Sequence, residues 1–254
     1  MLQDSSHATH PGERTRLAGL LFIISAPSGS GKSTLVHELR SVEKHLDFSV
    51  SNTTRSPRGS EEDGREYHFV ARERFEQMIA EDELLEYAEV FGNYYGTARS
   101  ALSESFAHGR DLLLDIDVQG AEQVRQRIPE AVSIFILPPA PEVLKMRLTN
   151  RSRAEGKVDE SVIQCRLDKA QHEIENYHKY KYVLVNDVLE RAVDELSAIV
   201  KAERYLHDGD DLNRPGVQKV LAIAESCQVS HSAERLRPVL GAFGVPISAE
   251  PAQI

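Results

Sequence analysis

Residues 25–34 read Ser25-Ala26-Pro27-Ser28-Gly29-Ser30-Gly31-Lys32-Ser33-Thr34, between the apolar run Leu20–Ile24 and the helical pattern Thr34–Val42. Strand, glycine-rich turn and helix start is the context a phosphate-binding loop needs. Gly29 and Gly31 allow the backbone to curl so that successive N–H groups point inward as a nest. The helix behind contributes its positive end. Lys32 reaches the outer phosphates, and the Ser33 hydroxyl is placed for Mg²⁺. The usual pattern begins with glycine; here that position is Ala26, so it does not demand positive φ, and Pro27 stiffens the turn instead.

Outward from this loop, three more apolar runs stand out: Leu112–Leu114 leading into Asp115-Ile116-Asp117, Val132–Leu137, and Tyr182–Val185 leading into Asn186. Short runs of leucine and β-branched residues, unbroken by polar ones, suit strands buried on both faces of a parallel sheet. Helical patterns alternate with them at Val118–Arg127, Pro141–Arg151, Ser161–Tyr177 and Leu189–Tyr205. The alternation predicts a three-layer α/β core with right-handed crossovers. Ligands of such sheets sit beyond the carboxyl ends of the strands, where Asp115, Asp117 and Asn186 fall beside the loop.

Two segments interrupt this order. Ser49 to about Thr97 holds the β-like pieces Tyr67–Val70 and Leu84–Phe91 around a short helix at Arg72–Ile79. It is too long for a simple crossover and predicts an inserted small lobe. Asn150 to about Glu160 is polar and charged between two helices, and predicts a mobile lid. After Leu206 comes the breaker cluster Asp208–Gly216, then helical spacing at Val217, Val220, Leu221 and Ala224 and again at Leu236, Val239, Leu240 and Phe243. These stripes fit docked helices, a loose appendage or an interface in a homo-oligomer, and the sequence does not choose.

At 254 residues, 41% hydrophobic and 28% charged, the chain suits one large soluble core with small inserted lobes. A net charge of −10 argues against nucleic acid or an anionic membrane as partner. Two cysteines, Cys165 and Cys227, make no disulfide framework and fit a cytoplasmic setting. No run reaches membrane-spanning length, and Met1–Arg16 has no hydrophobic stretch of a secretory signal; it reads as a disordered lead-in.

An acidic protein that binds a polyanion must concentrate its cations locally. Arg55 and Arg58 flank Pro57, and two guanidinium forks on one stiff turn suit a phosphate monoester. Tyr67 and Asn93-Tyr94-Tyr95-Gly96-Thr97 add hydroxyl donors. Glu86 interrupts the apolar Leu84-Leu85 and Tyr87-Ala88. Pointing inward, its carboxylate needs donors; guanine offers an N1–H and an amine, whereas adenine has no N1–H. Read one by one, each of these residues suits a solvated surface better. Together, in one insert beside a phosphate loop, they point to a purine monophosphate.

From about Leu20 to Leu206 the chain resembles the guanylate kinases. The resemblance rests on Ser25–Thr34, Ser49-Val-Ser-Asn-Thr-Thr-Arg-Ser-Pro-Arg58, Gly92-Asn-Tyr-Tyr-Gly-Thr97, Leu112-Leu-Leu-Asp-Ile-Asp-Val-Gln-Gly120 and Val185-Asn-Asp187. It implies the P-loop nucleoside-monophosphate kinase fold and the transfer of phosphate from ATP to GMP with Mg²⁺. It implies a domain at 19–206 after a lead-in at 1–18, with core segments 19–50, 98–149 and 161–206, a GMP lobe at 51–97, a lid at 150–160, and an extension at 207–254. By the same resemblance the GMP phosphate falls to Arg55, Arg58, Tyr67 and Tyr95, and guanine to Ser51, Glu86, Thr97 and Asp117. Asn186 is similar to the family's adenine-side residue. Arg147, Arg151 and Arg166 match arginines that fold over the phosphates, with Arg153 competing for the place of Arg151. Asp115 stays open to two readings, a carboxylate near Mg²⁺ or a cap on the helix at Val118. A catalytically inactive member gripping a phosphorylated partner is the alternative; the intact Gly-Lys-Ser-Thr weighs against it.

Overall fold

The computed structural model describes residues 19–90, 92–154 and 159–247. The expected lead-in at 1–18 and residues 155–158 of the expected lid lie outside them.

Five strands form the main sheet: β1 (Leu21–Ser25), β2 (Leu46–Phe48), and three more numbered after those of the insert, β7 (Asp111–Asp115), β8 (Val132–Leu137) and β9 (Tyr182–Val185). All pairings are parallel, in the order β2-β7-β1-β8-β9. Alternate residues of β1 enter different cores. Leu21 and Ile23 join one apolar cluster, Phe22 and Ile24 the other, so the strand is apolar throughout because both faces are covered. On one face lie α3 (Arg99–Ala107), α4 (Val118–Arg127), α5 (Pro141–Ala154) and α6 (Glu160–Ile174); on the other lie α1 (Lys32–Val42) and α7 (Leu189–Asp208). Because every strand runs the same way, the carboxyl ends of β1, β7 and β9 reach one rim, and Ser25, Asp115 and Asn186 stand there together.

The insert folds as a second sheet, β4-β3-β6-β5, from β3 (Asn52–Thr53), β4 (His68–Phe69), β5 (Leu84–Val90) and β6 (Asn93–Ala98), under α2 (Arg72–Ala80). Phe75, Met78 and Leu84 make its own small core. A register shift between Leu84 and Glu86 breaks its antiparallel β5–β6 ladder. This bulge decides where Glu86 points. Leu84 and Tyr87 face the insert's core, while Leu85 joins the main core beside Ala121 and Val124. Strict alternation would send Glu86 to the side of Leu84; the extra residue turns it, with Leu85, toward α4.

Most expected elements form within a few residues of their predicted ends. Four have no counterpart in the sequence reading: β2 and β3, too short to show a run, β6, whose Asn93–Thr97 read only as hydroxyl donors, and α3, whose apolar face is only partly buried. Helix α5 continues past Arg151 to Ala154, so the first part of the expected lid loop is helical. Arg151 and Arg153 in its last turn suit the negative helix end.

The segment after Leu206 is built into the fold. Helix α8 (Pro215–Cys227) places Ala224 and Cys227 in the cluster under α7, and α9 (Ala233–Ala242) places Leu236 and Leu240 in the opposite cluster. Between them the chain crosses the outer edge of β9. The Val229 N–H donates to the Lys181 carbonyl (3.1 Å), and Arg235 donates to the Val183 carbonyl (2.7 Å) and pairs with Glu195 (2.9 Å). Val217, Ala224, Leu236, Leu240 and Phe243 of the apolar stripes are thus buried within the chain. Leu240→Ala is therefore expected to destabilise the protein by about 2–5 kcal/mol, as for other fully buried leucines. Urea unfolding checks this; a loss below about 0.5 kcal/mol would be that of an exposed position.

Candidate active site

Gly29 and Gly31 adopt φ of +88° and +90°, the left-handed region. A Cβ on Gly31 would stand 2.4 Å from the Asn186 amide nitrogen. Ala26 does not take positive φ; among the described non-glycine residues only Asp82 does. The departure from the usual leading glycine therefore leaves the loop intact. Within the loop the Ser30 N–H donates to the Pro27 carbonyl (3.1 Å), and the remaining carbonyls need donors from elsewhere. The Ser30 carbonyl accepts from the Asn186 side chain (2.7 Å) and from Arg147 (2.9 Å), which tie it to β9 and α5.

Lys32 opens α1 and pairs with Asp115 at the end of β7, also donating to the Ile116 carbonyl (3.1 Å). Burial works against its charge, but Asp115, with Asp117 behind it, more than offsets this and holds the ammonium above its usual pKa. Of the two readings of Asp115, the capping one fails. The cap of α4 is Asp117, whose Oδ1 accepts from the N–H groups of Gln119 (3.1 Å) and Gly120 (2.9 Å).

A cleft of about 750 Å³ opens at this rim. The whole of 26–34 lines it, together with Asn186, Asp187, Arg58, Tyr95, Asp117, Arg147, Arg151 and Arg166. Arg153 does not line it, so of the competing pair only Arg151 faces the cleft. Lys169 and Glu173 of α6 also line it, residues the sequence reading missed because one charged helix turn looks like another. Glu173 sits above its normal pKa through burial, only partly countered by Lys169, 3.7 Å away.

Ser51, Arg55, Tyr67, Glu86, Thr97 and Asp115 are not among the residues that line the cleft. Arg55 is buried and held by the Glu61 carboxylate through two contacts of 2.9 and 3.0 Å. It also lies over the Tyr67 ring (5.3 Å) and bonds toward the Tyr95 hydroxyl. Tyr67 meets Tyr95 edge-on at 5.8 Å, and the charges of Asp115 and Lys32 reach it from the main sheet. Arg55, Tyr67 and Tyr95 therefore form one group facing the phosphate loop, with Arg58 exposed at its margin. Glu61, which also accepts from the Arg58 backbone N–H (2.8 Å), is a partner that sequence alone did not single out.

Glu86 is 4% exposed and accepts from Thr97 Oγ1 at 2.7 Å, its cross-strand neighbour. Burial pushes its carboxyl up to about 7; Asp117 adds to the rise, and Thr97 and Arg127 oppose it. Among the described residues no Lys or Arg forms an ion pair with it, Arg127 acting only at longer range. It is a buried acid held without its full set of donors, the environment in which an arriving N–H group gains most. Ser51 is half-buried on the chain leading into β3, its carbonyl tied to the His68 N–H (2.9 Å).

Among the described residues no three His, Cys, Asp or Glu gather into a metal cluster. An exposed Ser33 hydroxyl and one carboxylate, Asp115, fit a hard cation that takes most of its oxygens from phosphates and water, as Mg²⁺ does. Among the same residues no helix is long and apolar enough to cross a membrane.

Residues 19–203 match the guanylate kinase family profile. The guanylate kinase of Koribacter versatilis is 51% identical over 227 residues, covering 89% of this chain and 97% of the relative. That alignment is longer than the stretch the profile matches, so it takes in part of the C-terminal segment. The guanylate kinase of Neisseria meningitidis serogroup A is 53% identical over 186 residues, 73% of this chain and 89% of the relative. Among solved structures, a guanylate kinase from Anaplasma phagocytophilum superposes with a TM-score of 0.60 at 33% identity, over 84% of this chain and all of the other. The chain belongs to the guanylate kinase family.

Proposed function

We propose that this chain transfers a phosphoryl group from ATP to GMP within the cleft, with Mg²⁺, in the cytoplasm. The observation that carries the reading is the pairing of two unlike pockets at one rim. One is the glycine-turned loop 26–34 with Lys32; the other, on the inserted sheet, holds the buried acid Glu86, which among the described residues has no ion-pair partner, and the arginine–tyrosine group of Arg55, Tyr67 and Tyr95.

ATP lies with its phosphates on 26–34 and its base toward Asn186 and Asp187. GMP lies with its phosphate toward Arg55, Arg58, Tyr67 and Tyr95 and its base toward Ser51, Glu86, Thr97 and Asp117. Ser33 and Asp115 hold Mg²⁺, which when bound neutralises phosphate charge. The acceptor is an already ionised phosphate oxygen, so no general base is required, and catalysis consists of positioning and charge neutralisation. Lys32 exchanges Asp115 for the phosphates, and Arg147, Arg151 and Arg166 cover the transferred group. Arg147 does so from a fixed place, because it already braces the loop at Ser30. Arg55 and Glu86 do not line the cleft, and inward movement of the insert completes the GMP pocket and excludes water.

With ATP as donor, a panel of GMP, dGMP, AMP, CMP and UMP tests the reading: turnover confined to the guanine nucleotides is expected, and equal acceptance of AMP overturns it. Lys32→Ala is expected to abolish turnover while leaving the thermal transition close to that of the parent; near-normal turnover would remove Lys32 from the mechanism. Glu86→Gln is expected to lower the preference for GMP over AMP by about 1.5–3 kcal/mol, the worth of a charge-assisted hydrogen bond.

The raised pKa of Glu86 gives a pH dependence with a definite sign. Below about 7 the carboxyl is mostly protonated and competes with the guanine N–H donors; above it the carboxylate accepts them. The KM for GMP is therefore expected to fall from pH 6 to pH 8. The phosphate of GMP also ionises near pH ~6, so the control is Glu86→Gln, which retains only the phosphate's share. Identical pH profiles for the two proteins would exclude Glu86 as the titrating group.

A further inference from the structure

Helix α4 carries a glycine at its third residue, where almost any other residue would be a better helix former. Gly120 does not need positive φ. Its surroundings explain it instead. A Cβ built on Gly120 would lie 2.3 Å from Glu86 Oε2 and 2.9 Å from Glu86 Cδ, closer than any real Cβ approaches another heavy atom. The Glu86 carboxylate rests directly on the Gly120 backbone, turned there by the bulge in β5. On its other side, the Gly120 N–H donates to Asp117 Oδ1 at 2.9 Å. Gly120 thus stands between the two acids assigned to the guanine base.

Glu86 cannot yield by moving its strand, because α4 fastens β5 on both sides of it. One turn beyond Gly120, the Gln123 amide donates to the Tyr87 carbonyl (2.6 Å) and accepts from the Tyr87 N–H (3.2 Å). A further turn on, Arg127 donates to the carbonyls of Leu84 (2.7 Å) and Leu85 (2.9 Å). Positions 120, 123 and 127 share one helix face, so a single edge of α4 sets both the height of β5 and the space left for its acid.

We infer that Gly120 is a specificity-determining positioning residue: its missing side chain lets the Glu86 and Asp117 carboxylates converge closely enough to read one guanine. The inference rests on the proposed guanine site. A methyl group at position 120 displaces the Glu86 carboxylate while the phosphate loop, on β1 and α1, is untouched.

Gly120→Ala is therefore expected to raise the KM for GMP by about tenfold or more, the usual effect of one misplaced methyl-sized group in a pocket. The KM for ATP should stay within about twofold. A merely structural role would move both constants or neither. The second arm repeats the substitution in a Glu86→Asp background, where the carboxylate ends one methylene short of the new methyl. There, adding Gly120→Ala should cost less than about threefold, the coupling expected of groups in contact. If Gly120→Ala alone fails to fold and Glu86→Asp restores folding, the contact is equally supported; failure in both backgrounds overturns the inference. So does an unchanged KM for GMP, a parallel rise in both KM values, or the same penalty in both backgrounds. Glu86→Gln separates the two levels: if it leaves GMP over AMP preference intact, the guanine site is lost and this inference with it. If it removes that preference while Gly120→Ala changes nothing, only the role of Gly120 falls.

Discussion

A loop that turns its amides toward a ligand must turn carbonyls away from it, and those carbonyls need donors. Here that demand falls on Ser30, and it is met by Asn186 from β9 and Arg147 from α5. Three elements distant in sequence are thereby fixed around one peptide group. β9 is held in turn from its outer side, where Val229 and Arg235 satisfy the Lys181 and Val183 carbonyls. The geometry of the phosphate loop thus depends on a chain of hydrogen bonds that begins in the C-terminal helices. Arg147 is held in place by a bond to the protein itself, which lowers the entropy lost when a phosphate binds.

The electrostatics follow the same economy. The chain is strongly acidic as a whole, yet the cleft gathers Lys32, Arg58, Arg147, Arg151 and Arg166. Cations placed together repel, and here acids relieve them: Asp115 holds Lys32, and Glu61 grips Arg55 behind the wall. Glu86 is the opposite case, an acid whose ionisation is opposed by burial and by Asp117. A substrate bringing a phosphate to the first group and N–H donors to the second satisfies both at once, which is how a site favours one ligand without matching its surface at every point.

The fold was legible because its signals are local. Short apolar runs, alternating helical patterns and the loop at 25–34 each follow from a few neighbouring residues, and their alternation favours a parallel sheet. The approximate insert and the positions of Arg55, Arg58 and Glu86 were legible too, from motif order. What the sequence does not carry is direction. The inward turn of Glu86 depends on a bulge that no composition marks, and period-two alternation alone would aim it the other way. Glu61, Gln123, Arg127, Lys169 and Glu173 read as ordinary surface charges and amides until their strands and helices are brought together. The C-terminal stripes were visible as stripes, but a stripe does not say which surface covers it.

The placement of α8 and α9 has a consequence for how the protein is made. Both sheet faces and the open side of β9 are finished only by residues beyond 216, which leave the ribosome after every strand has been synthesised. During elongation the growing chain therefore carries a nearly complete sheet with one bare flank, the kind of surface on which neighbouring nascent chains pair wrongly. That flank is covered once α8 and α9 have been added and Val229 and Arg235 reach the Lys181 and Val183 carbonyls.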